Sequence, residues 1–193
     1  MKVVLINGSR REKGCTYTAL TEIAKELQKE GIETELFHIG VKAVNGEMNQ
    51  IVSEVAEAVK SADGLIVGSP VYYASPSGEV MAFLDRLFGV AKDDLMYKPA
   101  AAIASARRAG TSTTLDVLNK YFLFNQMPLV SSCYWNMVHG SNPEDVLKDE
   151  EGMQTMRTLA KNMVWILKSI EAGKASGIKQ PVAEEKVFTN FIR

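Results

Sequence analysis

Cysteine is scarce in this chain: among 193 residues only Cys15 and Cys133 are found. Two thiols that form no C-x-x-C pair exclude a disulfide scaffold. Histidine is equally rare, and His38 and His139 lie far apart with no H-E-x-x-H stretch, so no zinc site is grouped. Charge of one sign is missing too. Twenty-two Lys+Arg against 23 Asp+Glu leave a net charge of −1, no footprint for nucleic acid or for an anionic membrane. Long apolar runs are also absent at the start: Val3-Val4-Leu5-Ile6 ends at Asn7. That is too short for a signal core or a membrane span, so no membrane insertion and a cytoplasmic location are expected.

What remains is ordinary globular material, 46% hydrophobic and 23% charged. A chain of this length makes one domain and buries about 70% of its unfolded surface. The pattern along it alternates. Val3 to Ile6 reads as a strand buried on both faces, stopped by Asn7-Gly8-Ser9. From Thr16, the residues Leu20, Ile23, Ala24 and Leu27 fall at helical spacing, and Gly31 closes the segment. Ile32 to Ile39 alternates as a strand, and Met48 to Val59 reads as a helix. Gly64 to Gly68 is another buried strand, followed by a helix from about Ser77. Ala100 to Ala104 predicts a strand, Thr111 to Phe122 a helix, and Leu129 to Ser132 a fifth strand. A long amphipathic helix spans Met153 to Ala172.

Strand and helix alternating five times predict a doubly wound parallel sheet with helices on both faces. We expect one domain over residues 1–172 and a tail over 173–193. The tail ends on Val187, Phe188, Phe191 and Ile192, an apolar character suited to packing on the domain or on a second subunit. In such sheets ligands sit beyond the carboxyl ends of the strands, which directs attention to three loops.

The first loop, Asn7 to Thr16, enters a helix N-terminus, where free amides and the helix dipole receive an anion. Ser9, Thr16 and Arg11 add hydroxyl and charge-assisted donors. Five residues separate Gly8 from Gly14 and no Lys precedes Thr16, so the loop is no Walker motif; G-x-G-x-x-G is absent as well. A loop for one terminal phosphate, as on a mononucleotide, is the remaining reading. The second loop, Ser69 to Gly78, carries two prolines with Tyr72 and Tyr73, a stiff wall for a flat ligand or a simple cap on the sheet edge. The third, Ser105 to Thr111, has small residues for close approach and Arg107 or Arg108 for developing negative charge. After the fifth strand comes an aromatic cluster, Tyr134 to Gly140, suited to the substrate side of the pocket or to a subunit contact, in which a lone His139 reads as a structural hydrogen-bonder.

Taken together, Gly8-Ser9-Arg10-Arg11, Gly14-Cys15-Thr16, Gly68-Ser69-Pro70-Val71-Tyr72-Tyr73 and Phe83-Leu84-Asp85-Arg86 resemble the NAD(P)H-dependent FMN reductase family. The resemblance covers about Lys2 to Leu167. It implies a flavodoxin-like three-layer sandwich with a five-stranded parallel sheet in the order 2-1-3-4-5. By that resemblance Ser9, Arg11, the Cys15 amide and Thr16 take the FMN phosphate. Pro70, Val71, Tyr72 and Tyr73 lie against the isoalloxazine, and Ala106, Arg107, Arg108 and Gly110 lie near its pyrimidine side. The family is commonly dimeric or larger, so a homodimer or homotetramer is expected.

Three departures stand out. Arg10 replaces a usual proline and Cys15 a usual asparagine. The related iron–sulfur flavoproteins carry a cysteine cluster after the second strand, but Gly40 to Glu47 holds no cysteine, which excludes a cluster on ligands alone. Tyr134 to Gly140 matches no general family motif. The resemblance implies that NADPH or NADH is co-substrate and that hydride passes through FMN to a small-molecule electron acceptor such as a quinone. It needs no catalytic side chain. Two other readings stand beside it: a flavodoxin-type carrier not reduced directly by nicotinamide, against which the charge of −1 argues, and a binding protein that has lost flavin use.

Overall fold

The computed structural model describes residues 1–182, 184–189 and 191. Five strands form a parallel sheet: β1 (Lys2–Asn7), β2 (Glu33–His38), β3 (Gly64–Tyr72), β5 (Ala100–Ala106) and β6 (Met137–His139). Their spatial order is β2-β1-β3-β5-β6, the flavodoxin-like order 2-1-3-4-5 when the parallel strands alone are counted. A short strand β4 (Ser75–Pro76) turns back antiparallel on the end of β3.

Alternating side chains of the buried strands feed two separate cores. Val4 and Ile6 of β1, Leu65 and Val67 of β3 and Ala100, Ala102 and Ala104 of β5 face one layer. There they meet α2 (Met48–Lys60), α3 (Gly78–Val90) and α5 (Thr111–Phe124) through Val55, Phe83, Leu87 and Phe122. Val3, Leu5, Ile66 and Ile103 face the other layer. It is built by α1 (Cys15–Lys29) and α7 (Glu150–Ala175) through Leu20, Ile23, Met156, Leu159 and Met163. Ion pairs Arg157–Glu22 at 2.9 Å and Lys168–Glu30 at 2.8 Å clip α7 to α1. A one-turn helix α4 (Lys92–Leu95) follows α3, and α6 (Pro143–Lys148) precedes α7.

The fifth strand corrects the expectation drawn from Leu129 to Ser132. Leu129 makes only an isolated parallel bridge to Ala100, where the amide of Val130 donates to the Ala100 carbonyl at 2.8 Å. The chain then bows away from the sheet. The Asn136 amide side chain donates to the Ala102 carbonyl at 3.1 Å, and pairing resumes as Met137, Val138 and His139 opposite Ala104, Ser105 and Ala106. The long last helix starts at Glu150, capped by the Asp149 carboxylate on the Gly152 amide at 2.9 Å, and runs to Ala175. In the tail, Val182, Val187, Phe188 and Phe191 are exposed, and Lys186 Nζ stands 5.5 Å from the centre of the Phe124 ring. Ile192 lies outside the described residues.

No helix among the described residues is long and apolar enough to cross a membrane.

Candidate functional site

The loops after β1, β3, β5 and β6 converge at the carboxyl edge of the sheet around a cleft of about 360 Å³. The first loop is shaped from within. Fully buried Asn7 accepts the Ser9 amide at 3.1 Å through Oδ1, and its Nδ2 donates to the Glu12 carbonyl at 2.8 Å. Ser9 Oγ in turn accepts the Arg11 amide at 3.1 Å. Ser77, the N-cap of α3, donates to the Gly8 carbonyl at 2.8 Å, which ties the loop to the neighbouring strand end. Arg10 turns outward to Glu79 at 3.2 Å, an exposed guanidinium on a largely covered carboxylate.

Helix α1 then begins at Cys15 behind Gly14 without any side-chain cap. The amides of Cys15, Thr16 and Tyr17 meet no acceptor among the described residues. Three uncapped amides and the positive end of a 15-residue helix make an anion seat. Arg11, Lys13 and Arg107 line the same cleft, and among the described residues no acidic side chain does. A phosphate monoester fits this donor set.

Pro70, Val71 and Tyr72 form the facing wall. Beyond them the chain reverses through Tyr73 and Ala74, both at positive φ (51° and 56°), the dihedral requirement of the two-residue hairpin that joins β3 to β4. The hairpin rests on the start of α5: Thr113 Oγ1 donates to the Ala74 carbonyl at 2.8 Å, and Gly110 at φ 96° passes so close that a methyl there would stand 2.8 Å from Ala74 Cα. The third loop supplies Ser105, Ala106 and Arg107. Thr16 Oγ1 and Ser105 Oγ meet at 2.8 Å and join the first loop to the third.

Of the twelve residues singled out from the sequence, nine line this cleft: Ser9, Arg11, Cys15, Thr16, Pro70, Val71, Tyr72, Ala106 and Arg107. Tyr73, Arg108 and Gly110 do not. Tyr73 is fully exposed at the hairpin tip, the Arg108 carbonyl is bonded to His139 Nε2 at 3.0 Å, and Gly110 supports the hairpin from behind. The cleft also takes Lys13, Gly14, Ser105, Gly140, Ser141 and Pro143. Gly140 closes the aromatic segment already singled out, and Lys13, Gly14 and Ser105 stood within the quoted loops, whereas Ser141 and Pro143 lie beyond any segment marked in the sequence.

Two side chains marked in the sequence prove to be structural. His139 donates its amide to Asp149 Oδ2 at 2.6 Å, and its ring bonds to the Arg108 carbonyl. The Cys15 thiol lies 3.6 Å from the Gly140 carbonyl, and burial pushes its pKa above the ordinary value of 9.0. A thiol held protonated at neutral pH is a poor nucleophile.

The order of the strands and an anion seat at the end of β1 define a flavodoxin-like flavoprotein fold. Comparison with known proteins narrows the class. The sequence model for NADPH-dependent FMN reductase matches residues 1–142. This chain belongs to that family. It is 30% identical over 192 residues to an iron–sulfur flavoprotein of Methanocaldococcus jannaschii, covering 89% of this chain and all of that one. It is 32% identical over 126 residues to an NADPH azoreductase of a Bacillus species, covering 62% of this chain and 65% of that one. Among solved structures, the apo form of an NADH:FMN oxidoreductase superposes with a TM-score of 0.68 at 22% identity, over 86% of this chain and 89% of that one. A WrbA-like flavodoxin from Agrobacterium tumefaciens gives a TM-score of 0.66 at 15% identity, over 87% and 97%.

The iron–sulfur cluster named in the first of these relatives does not fit this chain. A cluster held by cysteine needs about four thiolates, and the chain owns two. Cys15 sits at the start of α1 beside the Gly140 carbonyl, and Cys133 lies beside Thr155 of α7. Gly40 to Glu47, which includes a turn of 3₁₀ helix at Val41–Ala43, contains neither. Among the described residues no group of three or more His, Cys, Asp or Glu side chains could hold a metal ion.

Proposed function

We propose that the protein is an FMN-dependent NAD(P)H oxidoreductase that serves a small acceptor such as a quinone or, by analogy with its azoreductase relative, an azo compound. The observation that carries this reading is the uncapped start of α1 opening into a cleft lined, among the described residues, by three cations and no acid. Arg11, the Ser9 and Thr16 hydroxyls and the Cys15 amide hold the FMN phosphate. Pro70, Val71 and Tyr72 support the ring on one side, while Ala106 and Arg107 offer an amide and a positive charge at its pyrimidine end. Tyr73, Arg108 and Gly110 keep the loops in shape around it. FMN, when bound, supplies the two-electron chemistry between nicotinamide and acceptor. The chain binds, orients and shields, which is why neither a nucleophile nor a carboxylate dyad is needed. Exposed Val187, Phe188 and Phe191 support a homodimer or homotetramer, which sedimentation measures directly.

The test is an anaerobic visible-absorption titration of FMN-loaded protein, first with NADPH and then with NADH. Rapid bleaching by either nucleotide supports the oxidoreductase and identifies its donor. Bound flavin that stays oxidised moves the reading to an electron carrier, and protein that retains no flavin removes the phosphate assignment.

A further inference from the structure

The strand β2 runs along the edge of the sheet, and its last residue reaches into the first loop from the side away from the cleft. His38 Nε2 stands 2.7 Å from the carbonyl oxygen of Ser9. A carbonyl only accepts, so the ring nitrogen is the donor and its tautomer is fixed. The next turn presses on the same atom: a methyl on Gly40 would overlap the Ser9 carbonyl oxygen. Asn7 meanwhile draws the Ser9 amide toward Oδ1. The Ser9 residue is thereby gripped on both sides, its amide by Asn7 of β1 and its carbonyl by His38 of β2.

We propose that His38 is a positioning residue for the phosphate seat. By holding the Ser9 carbonyl against β2, it turns a partial negative charge away from the anion and leaves the Ser9 hydroxyl and the α1 amides as the groups that face it. Released from His38, the carbonyl is free to rotate toward the seat, where an anion repels it. His38 is not among the residues that line the cleft. Its effect therefore belongs to the phosphate alone.

This inference rests on the proposed binding of FMN, and riboflavin separates the two. Riboflavin has the same ring without the phosphate. Dissociation constants for FMN and riboflavin are measured by fluorescence quenching on flavin-free full-length chain, for wild type, His38→Gln, His38→Asn and His38→Leu. Gln brings an amide nitrogen to the position of the ring nitrogen and can donate to the same carbonyl; Asn is too short and Leu has no donor. Wild type and His38→Gln are expected to prefer FMN equally. His38→Asn and His38→Leu lose roughly fivefold of that preference, the value of one ordinary hydrogen bond, through weaker FMN binding with riboflavin unchanged. Equal preference in all four proteins overturns the role of His38 and leaves the phosphate seat intact. Loss in His38→Gln as large as in His38→Leu overturns it as well. A wild type that does not distinguish FMN from riboflavin removes the seat and the proposal with it. Should His38→Leu fail to fold, by circular dichroism, the comparison of Asn with Gln decides.

Discussion

The hydroxyls of Thr16 and Ser105 meet 2.8 Å apart, and both side chains are buried. One belongs to the first turn of α1 and the other to the carboxyl end of β5, so this contact joins two of the loops that make the cleft. Neither hydroxyl has another protein partner among the described residues. Thr16→Val keeps the shape and strands the Ser105 hydroxyl at about 4% exposure. Desolvation of an unpaired group then costs about 1–2 kcal/mol, read as a lower urea midpoint. Ser105→Ala in the same background should recover part of that loss, because it removes the stranded hydroxyl. Additive losses would show that each hydroxyl acts alone.

Much of this architecture is legible in the sequence, and the reason is double burial. Val3 to Ile6 and Ala100 to Ala104 are covered on both faces, so they are written as unbroken apolar runs that only a central parallel strand needs. The edge is harder. β6 has three residues, of which only Val138 is fully buried, and Leu129 to Ser132 offers a more apolar stretch nearby. Pairing is decided there by Asn136, whose side chain replaces a backbone donor to β5, a role no periodicity encodes. The hairpin β4 is hidden for a similar reason. Its turn is Tyr73-Ala74, without the Asn-Gly signature that marks positive φ. Tyr73 accordingly stands outside the cleft while Tyr72 lines it.

That turn stores strain. Ala74 holds φ 56° with a Cβ that disfavours it, and Ala74→Gly should stabilise the fold by about 1 kcal/mol. Gly110→Ala acts in the opposite sense. Its φ of 96° and the 2.8 Å approach to Ala74 Cα force the hairpin to move, with a loss of more than about 1 kcal/mol. Thermal unfolding of the two variants should shift the midpoint in opposite directions. A lower midpoint for Ala74→Gly would mean that backbone entropy outweighs the strain.

Arg11 is exposed in the mouth of the cleft, its amide fixed by Ser9 Oγ while its guanidinium is free to meet a ligand. Replacing it with Ala removes a charge-assisted hydrogen bond and should weaken FMN binding by about 1.5–3 kcal/mol. Riboflavin binding should not change. The difference should shrink as salt is raised, since an exposed charge is screened. An FMN affinity equal to that of wild type would take Arg11 out of the phosphate seat and leave the α1 amides to hold the anion.

Cys15 occupies the helix start at which a thiol is often activated, yet its environment works the other way. Burial raises its pKa above 9.0, and this outweighs the pull of its own backbone amide and of Arg11, which both lower it. Its thiolate fraction at neutral pH is therefore below that of a free thiol, and alkylation by iodoacetamide should be slow in the folded chain. Cys133, which is exposed, serves as the internal reference in a peptide map. The sign of the stability effect follows from the same shift. Below the unfolded pKa both states keep the proton and Cys15 contributes no pH dependence. As pH rises through about 9 the unfolded chain releases its proton first, so folding stability declines there. Cys15→Ala should flatten that decline. If Cys15 instead reacts as fast as Cys133 at pH 7, the α1 dipole dominates over burial and the thiol belongs among the reactive groups of the cleft.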